Sequence, residues 1–318
     1  MPGAWATTVG EALALLSLLL FSTNVLVVKI ASPRLGQDVG FLLGLGSNVV
    51  FASLLFAGEL LVRPDPFVVE WGPFAMFAVG GLFTAYLGRR LFFRTVQTIG
   101  PSRASALQIT NPVFAALIGW VFLGESLGAA GVVFVLLVIG GLFLTSQAPA
   151  QNAAPVPAGT GGIAPAPTPV STALPRAEIA LGLTGAVSYA IGNVIRSSAV
   201  RHWDHAVFGG LLGAFCATVV YLVVQTDLRR LAQRLRSAPR SGLWLWGLSG
   251  VLTISAQISL IASTRTIPVA VGVVVAAAIP LIVVPASVVL FSNTEGVTVR
   301  TVAGIVLIFG GVAGLILT

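Results

Sequence analysis

Charge is what this sequence has least of. Only 8% of its 318 residues are charged, whereas 56% are hydrophobic and the mean hydropathy is +0.99. A water-soluble protein normally carries about 25% charged residues. A soluble fold is therefore excluded, and the composition predicts an integral membrane protein.

Several signatures of catalysis are also missing. The single cysteine, Cys216, can form no internal disulfide, and the sequence contains no Walker loop and no zinc-protease motif. We therefore expect no enzymatic activity, no cofactor and no ATP hydrolysis by this chain. The net charge of +7 is assigned to membrane topology rather than to nucleic-acid binding, because no soluble domain is predicted to carry that function.

Apolar segments recur along the whole chain. A helix needs about 20 apolar residues to cross about 30 Å of hydrocarbon. Ten segments are predicted to do so: 10–30, 40–62, 72–93, 104–123, 127–146, 178–197, 206–226, 243–263, 268–291 and 300–318. The first lacks the basic region of a signal peptide, so we expect an uncleaved helix. The predicted fold is an all-α bundle of ten transmembrane helices.

A polar interruption divides these helices into five and five. Residues 147–175 are rich in Ala, Pro and Gly and contain no charge, a composition that cannot build a packed core. We predict a flexible linker at 147–177 between two five-helix halves, 1–146 and 178–318.

The two halves resemble each other. Four pairs of features recur at a nearly constant separation along the chain: Gly40 and Gly209, Asn24 and Asn193, Pro112 and Pro280, and Glu125 and Glu295. Such a pattern indicates an internal duplication. Because each copy has an odd number of spans, the second must lie upside down in the membrane. Inverted repeats are common in secondary transporters, whose substrate site lies near the midplane between the repeats.

The basic residues favour one orientation. Thirteen of the 17 lysines and arginines fall on the side of the loops that follow odd-numbered helices. By the positive-inside rule this side is cytoplasmic, which places both termini outside and the linker in the cytoplasm. We expect a multi-pass protein of the cell (plasma or inner) membrane.

The segment "NPVFAALIGWVFLGES" from Asn111 combines a helix breaker with a carboxylate. Pro112 is predicted to kink the fourth helix, and Gln108, Thr110 and Asn111 are suitable partners for the freed backbone groups. The bend serves either packing alone or the wall of a cavity. The ninth helix carries corresponding breaks at Pro280 and Pro285 without polar neighbours, so most of the cavity's polarity is expected from the first half.

Glu125 lies well beyond Asn111 in the sequence, about 21 Å further along a helix, which carries it towards a membrane face. We predict that it caps the fifth helix, because a carboxylate complements the dipole at a helix N-terminus. Glu295 is interpreted in the same way. Proton coupling through either carboxylate is the alternative.

These stretches carry a family resemblance. "SRASALQITNPVFAALIGWVFLGESLGAAGVVFVLLVIGGLFL" resembles the end of the repeat in EamA-type carriers of the drug/metabolite transporter superfamily, and "FSTNVLVVK" resembles its first helix. The likeness covers nearly the whole chain apart from the linker, and it implies a ten-helix carrier of a small solute. The second half departs from the pattern, with "LFSNTE" where leucine-glycine-glutamate is expected.

Adjacent arginines in "AYLGRRLFFR" are candidates for binding an anionic group of the substrate. Arg89 and Arg90 point about 100° apart on a helix, so one is expected to reach inward. Snorkelling of both to the headgroups is the alternative. Gln257 occupies the position of the second half that corresponds to Arg89 and places a polar group at the same level.

Other polar residues complete the predicted substrate site, among them Gln108 and Asn111 beside Pro112. Asn24 and Asn193 either cross-link helices or contact substrate. Tyr86, Tyr189 and Thr253 are candidate cavity linings. "RHWDH" from Arg201 is interpreted as a solvated loop rather than a metal site, because no fourth ligand can be named.

The sequence thus predicts a secondary carrier that moves a small metabolite or drug-like solute by alternating access, as an exporter or exchanger. Its partners would be the solute, membrane lipid and possible coupling protons, and the chain would work as a monomer or a homodimer. A channel or lipid scramblase and a non-transporting membrane scaffold are the alternatives.

Overall fold

A computed structural model of the chain describes residues 4–35, 37–63, 65–99, 104, 107–146, 176–224, 233, 235, 238–291 and 298–317. In these ranges the chain forms helices joined by turns. We number the helices α1 (Ala4–Ala31), α2 (Gln37–Val62), α3 (Trp71–Gly81, continued by Leu82–Gly88 and Arg89–Ile99), α4 (Asn111–Leu123), α5 (Ala129–Ser146), α6 (Arg176–His202), α7 (Ala206–Val224), α8 (Arg240–Ser263), α9a (Val269–Ala277), α9b (Pro280–Phe291) and α10 (Val299–Leu317).

The predicted all-α bundle is confirmed. Eight of the described helices are long and apolar enough to cross a membrane, counting α9a and α9b together. The other two differ from simple spans. The helix α3 is interrupted by a π-helical segment at Leu82–Gly88, and α4 begins at Asn111 rather than at 104. The predicted linker at 147–175 and Glu295 lie outside the described residues, and residues 176 and 177 belong to α6.

Apolar side chains cover the outside of the bundle. Large hydrophobic residues are exposed on many helices, among them Leu54, Val121, Phe122, Leu136 and Val289. A soluble monomer rarely exposes apolar surface on this scale, whereas lipid tails accept it. The bundle is therefore built to be surrounded by lipid.

Helices of each half pack on helices of the other half. Helix α1 packs along α8, and the corresponding helix α6 packs along α3. In the same way α2 packs on α8 while α7 packs on α3, and α4 contacts α6 while α9b contacts α1. The helices α2 and α7 contact each other, as do α5 and α10. Each of these contacts between the halves therefore either occurs twice, at corresponding positions, or joins two corresponding helices.

Small residues allow these contacts to be close. A Cβ on Gly40 would lie 2.1 Å from the Trp246 ring, and a Cβ on Gly209 would lie 2.3 Å from the Phe77 ring. Gly40 and Gly209 occupy corresponding positions in the two halves, and so do Phe77 and Trp246. Without a hydrophobic force between helices in lipid, such approaches favour association through van der Waals packing.

Corresponding helices of the two halves run in opposite directions. Near one end of α2, Phe41 packs on Tyr221 with ring centroids 5.1 Å apart, and near the other end Phe56 packs on Phe208 at 5.0 Å. Increasing numbers in α2 therefore meet decreasing numbers in α7. Helices α5 and α10 pack in the same antiparallel manner. The architecture is that of two inverted five-helix repeats.

Candidate functional site

Two polar stripes face each other inside the bundle. Helix α6 carries Tyr189, Asn193 and Arg196 at spacings of four and three residues, which place them on one face. Helix α8 carries Thr253 and Gln257, four residues apart. The structure brings Asn193 and Gln257 together at the same guanidinium, that of Arg196.

Arg196 is the centre of this site. Its Nη1 donates to Gln257 Oε1 at 2.9 Å, and its Nη2 donates to Asn193 Oδ1 at 2.8 Å. The residue is only 5% exposed, and its Nε has no hydrogen-bond partner among the described residues. None of the ion pairs formed within the described part of the chain includes Arg196. Both of its acceptors are neutral amides, so its charge is buried without a counter-charge there.

Glycine contacts hold the Arg196 side chain in place. A Cβ on Gly80 of α3 would lie 2.7 Å from Arg196 Cγ, and a Cβ on Gly192 of α6 would lie 2.6 Å from Gly80 O. The two backbones can approach only because both positions lack a side chain. The aliphatic part of Arg196 therefore lies against α3, and its guanidinium reaches α8.

A small cavity lies beside the guanidinium. Its volume is about 10 Å³, roughly the minimum that holds one water molecule. It is lined by Asn193, Arg196, Leu260, Ile261, Thr264 and Val273. The lining thus combines three polar residues with apolar side chains from α8 and α9a.

Arg89 and Arg90 point in different directions, as their adjacent positions predict. Arg89 is half-buried, its Cζ lies 5.0 Å from the centre of the Phe41 ring, and it interacts with the Tyr189 hydroxyl. The Tyr189 ring also packs on Gly88. Arg90 is exposed and donates to the hydroxyl of Tyr86 one turn before it. Arg89 therefore joins the polar face of α6, whereas Arg90 and Tyr86 form a separate pair.

The two related asparagines have different surroundings. Asn24 Oδ1 accepts a hydrogen bond from Ser249 Oγ at 2.6 Å, which links α1 to α8. Thr253 donates to the backbone oxygen of Ser249 at 2.8 Å. Asn24 thus makes a helix cross-link, whereas Asn193 binds a buried cation.

Helix α4 is broken rather than kinked at its proline. A turn at 109–110 separates residues 107–108 from α4, and Pro112 lies in the first turn of the new helix, so the predicted mid-helix position is wrong. Thr110 Oγ1 donates to Leu107 O at 2.6 Å, the backbone compensation that the sequence predicts. Gln108 is half-buried at the break, and the buried Asn111 Oδ1 has no partner among the described residues.

The ninth helix has a matching break. Helix α9a ends at Ala277, Ala278 and Ile279 form the turn, and Pro280 begins α9b. Pro285 lies inside the continuous helix α9b, so the prediction of a second break there is wrong. Pro280 is well placed as the first residue of α9b, because that position needs no backbone donor, whereas Pro285 is accommodated within the helix at the loss of one backbone hydrogen bond.

Glu125 joins the two halves at one membrane face. Its carboxylate accepts the Val269 backbone N–H at 2.9 and 3.1 Å and pairs with the guanidinium of Arg201. Glu125 therefore caps α9a, and the prediction that it caps α5 is wrong about the helix. The chain reverses at Gly124 in the left-handed region, with φ of 65°, which turns the carboxylate across the bundle. We call Glu125, Arg201 and Val269 the latch.

The latch lies directly against the cavity. Arg201 Nε donates to Thr264 O at 2.9 Å, and its Nη2 donates to Ile267 O at 3.2 Å. Thr264 also lines the cavity beside Arg196. The latch thus fixes the segment that forms the cavity's end.

Sequence reasoning missed Arg196 and Arg201, which were counted only as basic residues near a membrane face. Arg196 follows Asn193 by one helical turn inside an apolar helix, and an intramembrane charge is a signal of function. The expectation that most polarity comes from the first half is also wrong, because the buried cluster belongs to α6 and α8. The prediction of a solvated loop at "RHWDH" is wrong, because Arg201 and His202 belong to α6 and Trp203 is buried. Asp204 pairs with Arg265, and the described residues contain no group suited to a metal ion.

Comparisons with known proteins agree with this architecture. The model of the EamA-like transporter family matches residues 8–147 and 176–317. A solved structure named only as the crystal structure of a protein is 19% identical, with a TM-score of 0.65, and the match covers 98% of this chain and 97% of that one. It shows the fold alone. No curated protein matches the sequence. With both of its halves matched by that family model, the chain belongs to the EamA-like transporter family.

Proposed function

We propose that this membrane protein is a secondary carrier that moves a small solute by alternating access. The observation that carries the proposal is the latch, a contact between the two repeats that also holds Thr264, one of the residues lining the cavity. Glu125 belongs to the first repeat, whereas Arg201 and Val269 belong to the second. Alternating access requires a contact between inverted repeats that can open and close beside a polar site, and the latch is such a contact.

Opening at the latch face would separate Glu125 from Arg201 and from the N-terminus of α9a. The breaks at 109–110 and 278–279 lie at the far ends of α4 and α9a from the latch. Each break gives a short helix its own hinge, because the backbone hydrogen bonds are already interrupted there. We propose that α4 and α9a swing at Pro112 and Pro280 while the remaining helices stay packed.

The proposed unit of transport is one chain, since the polar stripes and the latch all lie within it. We propose export or exchange across the cell membrane, driven by the solute gradient or by coupled protons. No cofactor takes part in this proposed cycle, and the solute is not changed chemically.

Counterflow in proteoliposomes tests this proposal. Vesicles are loaded with unlabelled solutes (organic acids, amino acids, purines, sugars, nucleotide sugars or cationic drugs), and entry of the same labelled compound is followed. A carrier accumulates label transiently above equilibrium and saturates. Flux without counterflow would support a channel or scramblase, and an absence of flux across the whole panel would support a scaffold.

A further inference from the structure

The charge of Arg196 is incompletely balanced. Its two amide acceptors occupy Nη1 and Nη2 and carry no charge, and the buried Nε has no partner among the described residues. An uncompensated buried charge is strongly destabilising, and hydrogen bonds from guanidinium to an anion are about twice as strong as neutral ones. The site therefore has both a charge and a donor left for an anionic group.

The surroundings of Arg196 add positive charge and no negative charge. Arg89 interacts with Tyr189, and Tyr189 also lies within electrostatic range of Arg196. The carboxylate of Glu125 is engaged by Arg201 and Val269. Within the described residues the cluster thus offers two guanidinium groups and no free carboxylate. Such a site disfavours cations, and it offers no counter-charge to the ammonium group of a zwitterion.

The residues around the guanidinium favour a small planar anion with an apolar body. Leu260, Ile261 and Val273 line the same cavity as Arg196; its volume of about 10 Å³ has room for one water molecule in this structure, so it must widen to admit a solute. A carboxylate needs less room and fewer donors than a phosphoryl group, which has three acceptor oxygens. Arginine also matches the plane of a carboxylate.

From these observations we infer that Arg196 binds the carboxylate of a small organic acid, whose apolar part lies against Leu260, Ile261 and Val273. The inference rests on the proposed function, because it names the substrate class of that same site. Asn193 and Gln257 are positioning residues in this account: they hold the guanidinium and leave its Nε free.

The decisive variant places a negative charge of the protein itself beside Arg196. Asn193→Asp keeps the size of the side chain and the acceptor at Arg196, and it adds a carboxylate. It should raise thermal stability and abolish binding of organic acids. Asn24→Asp is the matched control, because Asn24 occupies the corresponding position in the first repeat and contacts Ser249 rather than a guanidinium. This control should not gain stability and should keep the binding.

Binding is measured as the shift in melting temperature of the purified protein in detergent. The probes are benzoate, benzamide and benzylammonium, which share one ring and differ in charge, with acetate, butyrate and phenyl phosphate as further arms at matched ionic strength. Benzoate or butyrate should raise the melting temperature, and benzamide and benzylammonium should not. Removing one member of a buried charge pair typically weakens binding about thirtyfold or more, so Asn193→Asp should show at least that loss.

Three outcomes overturn the assignment: no shift with any carboxylate, an equal shift with benzamide, or an unchanged benzoate shift in Asn193→Asp. A larger shift with phenyl phosphate than with benzoate overturns the choice of carboxylate. Failure here differs from failure of the carrier proposal. Counterflow of a neutral or cationic solute keeps the carrier and removes the carboxylate site, whereas carboxylate flux without counterflow keeps the site and removes the carrier.

Discussion

The two halves of the chain share their packing and differ in their polar chemistry. Gly40 lies against Trp246 and Gly209 lies against Phe77, so one contact occurs twice at corresponding positions of the repeats. The hydrogen bonds of the two corresponding asparagines differ. Asn193 binds Arg196, whereas Asn24 binds Ser249.

This difference separates the roles of the repeats. The first-repeat position that corresponds to Arg196 is occupied by a valine, Val27. Duplication thus accounts for the scaffold, and the second half alone has a buried arginine at this position. Four comparisons can break or sharpen this account.

The largest effect is expected where the halves meet through glycines. A Cβ on Gly81 would lie 2.3 Å from Gly213 Cα, and a Cβ on Gly250 would lie 2.6 Å from Gly44 O. Gly81→Val and Gly250→Val should each destabilise the protein by about 3 kcal/mol or more, the upper range of overpacking. Gly46→Val is the control, since that position has open space. Stability is measured by thermal unfolding in detergent. Unequal losses of stability at Gly81 and Gly250 would show that the two halves do not pack symmetrically.

The latch should contribute more than an exposed ion pair at the same face. The side chains of Glu125 and Arg201 are 9% and 27% exposed, whereas those of Asp204 and Arg265 are 50% and 40% exposed. Glu125→Gln should lower stability by about 2 kcal/mol, because it leaves Arg201 without its charge partner. Asp204→Asn should cost less than about 1 kcal/mol. Equal losses in thermal unfolding would contradict a special role for the latch.

The third comparison removes one hydrogen bond from each half's asparagine network. Gln257→Leu leaves Arg196 Nη1 without an acceptor and should cost about 1 to 2 kcal/mol. Ser249→Ala removes the donor to Asn24 and should cost about 0.6 kcal/mol, the average for such bonds between membrane helices. A larger loss for Ser249→Ala, measured by thermal unfolding, would mean that the Asn24 cross-link, and not the Arg196 cluster, is the stronger polar contact.

The smallest effect separates two neighbours in sequence. Arg89→Ala should weaken the apparent affinity for the transported solute about threefold, because Arg89 lies beside Tyr189 and not in direct contact with Arg196. Arg90→Ala should leave the affinity unchanged, since Arg90 is exposed and bonded to Tyr86. Concentration dependence of counterflow measures both. A loss confined to Arg90 would place the site on the other face of α3.

Helix number and repeat symmetry followed from the sequence because both depend on apolar length and on recurring glycines and prolines. The breaks in α4 and α9 also followed, since Pro112 and Pro280 can interrupt a helix wherever they stand. Pro285 was misjudged because an interior proline bends a helix only if its neighbours require it, and that depends on packing.

The site followed from sequence only in part. Asn193, Tyr189 and Gln257 were found because polar residues are rare in apolar helices. Arg196 lies at the end of the predicted span 178–197, where a basic residue is expected to reach the headgroups. Glu125 was expected to cap the next helix in the chain, and it caps α9a instead because Gly124 turns it across the bundle. A contact between residues so distant in the sequence depends on how the repeats pack, which no local pattern specifies.

The most direct test of the account is the accessibility of Thr264, which is buried under the latch and lines the cavity. In a Cys216→Ala background, Thr264→Cys is labelled with a charged maleimide in lipid nanodiscs. The account predicts labelling about tenfold faster when Glu125→Gln is added, the factor that corresponds to about 1.4 kcal/mol, and no change with Asp204→Asn. Slow labelling that is unaffected by Glu125→Gln would contradict the latch as the closed end of an alternating-access site.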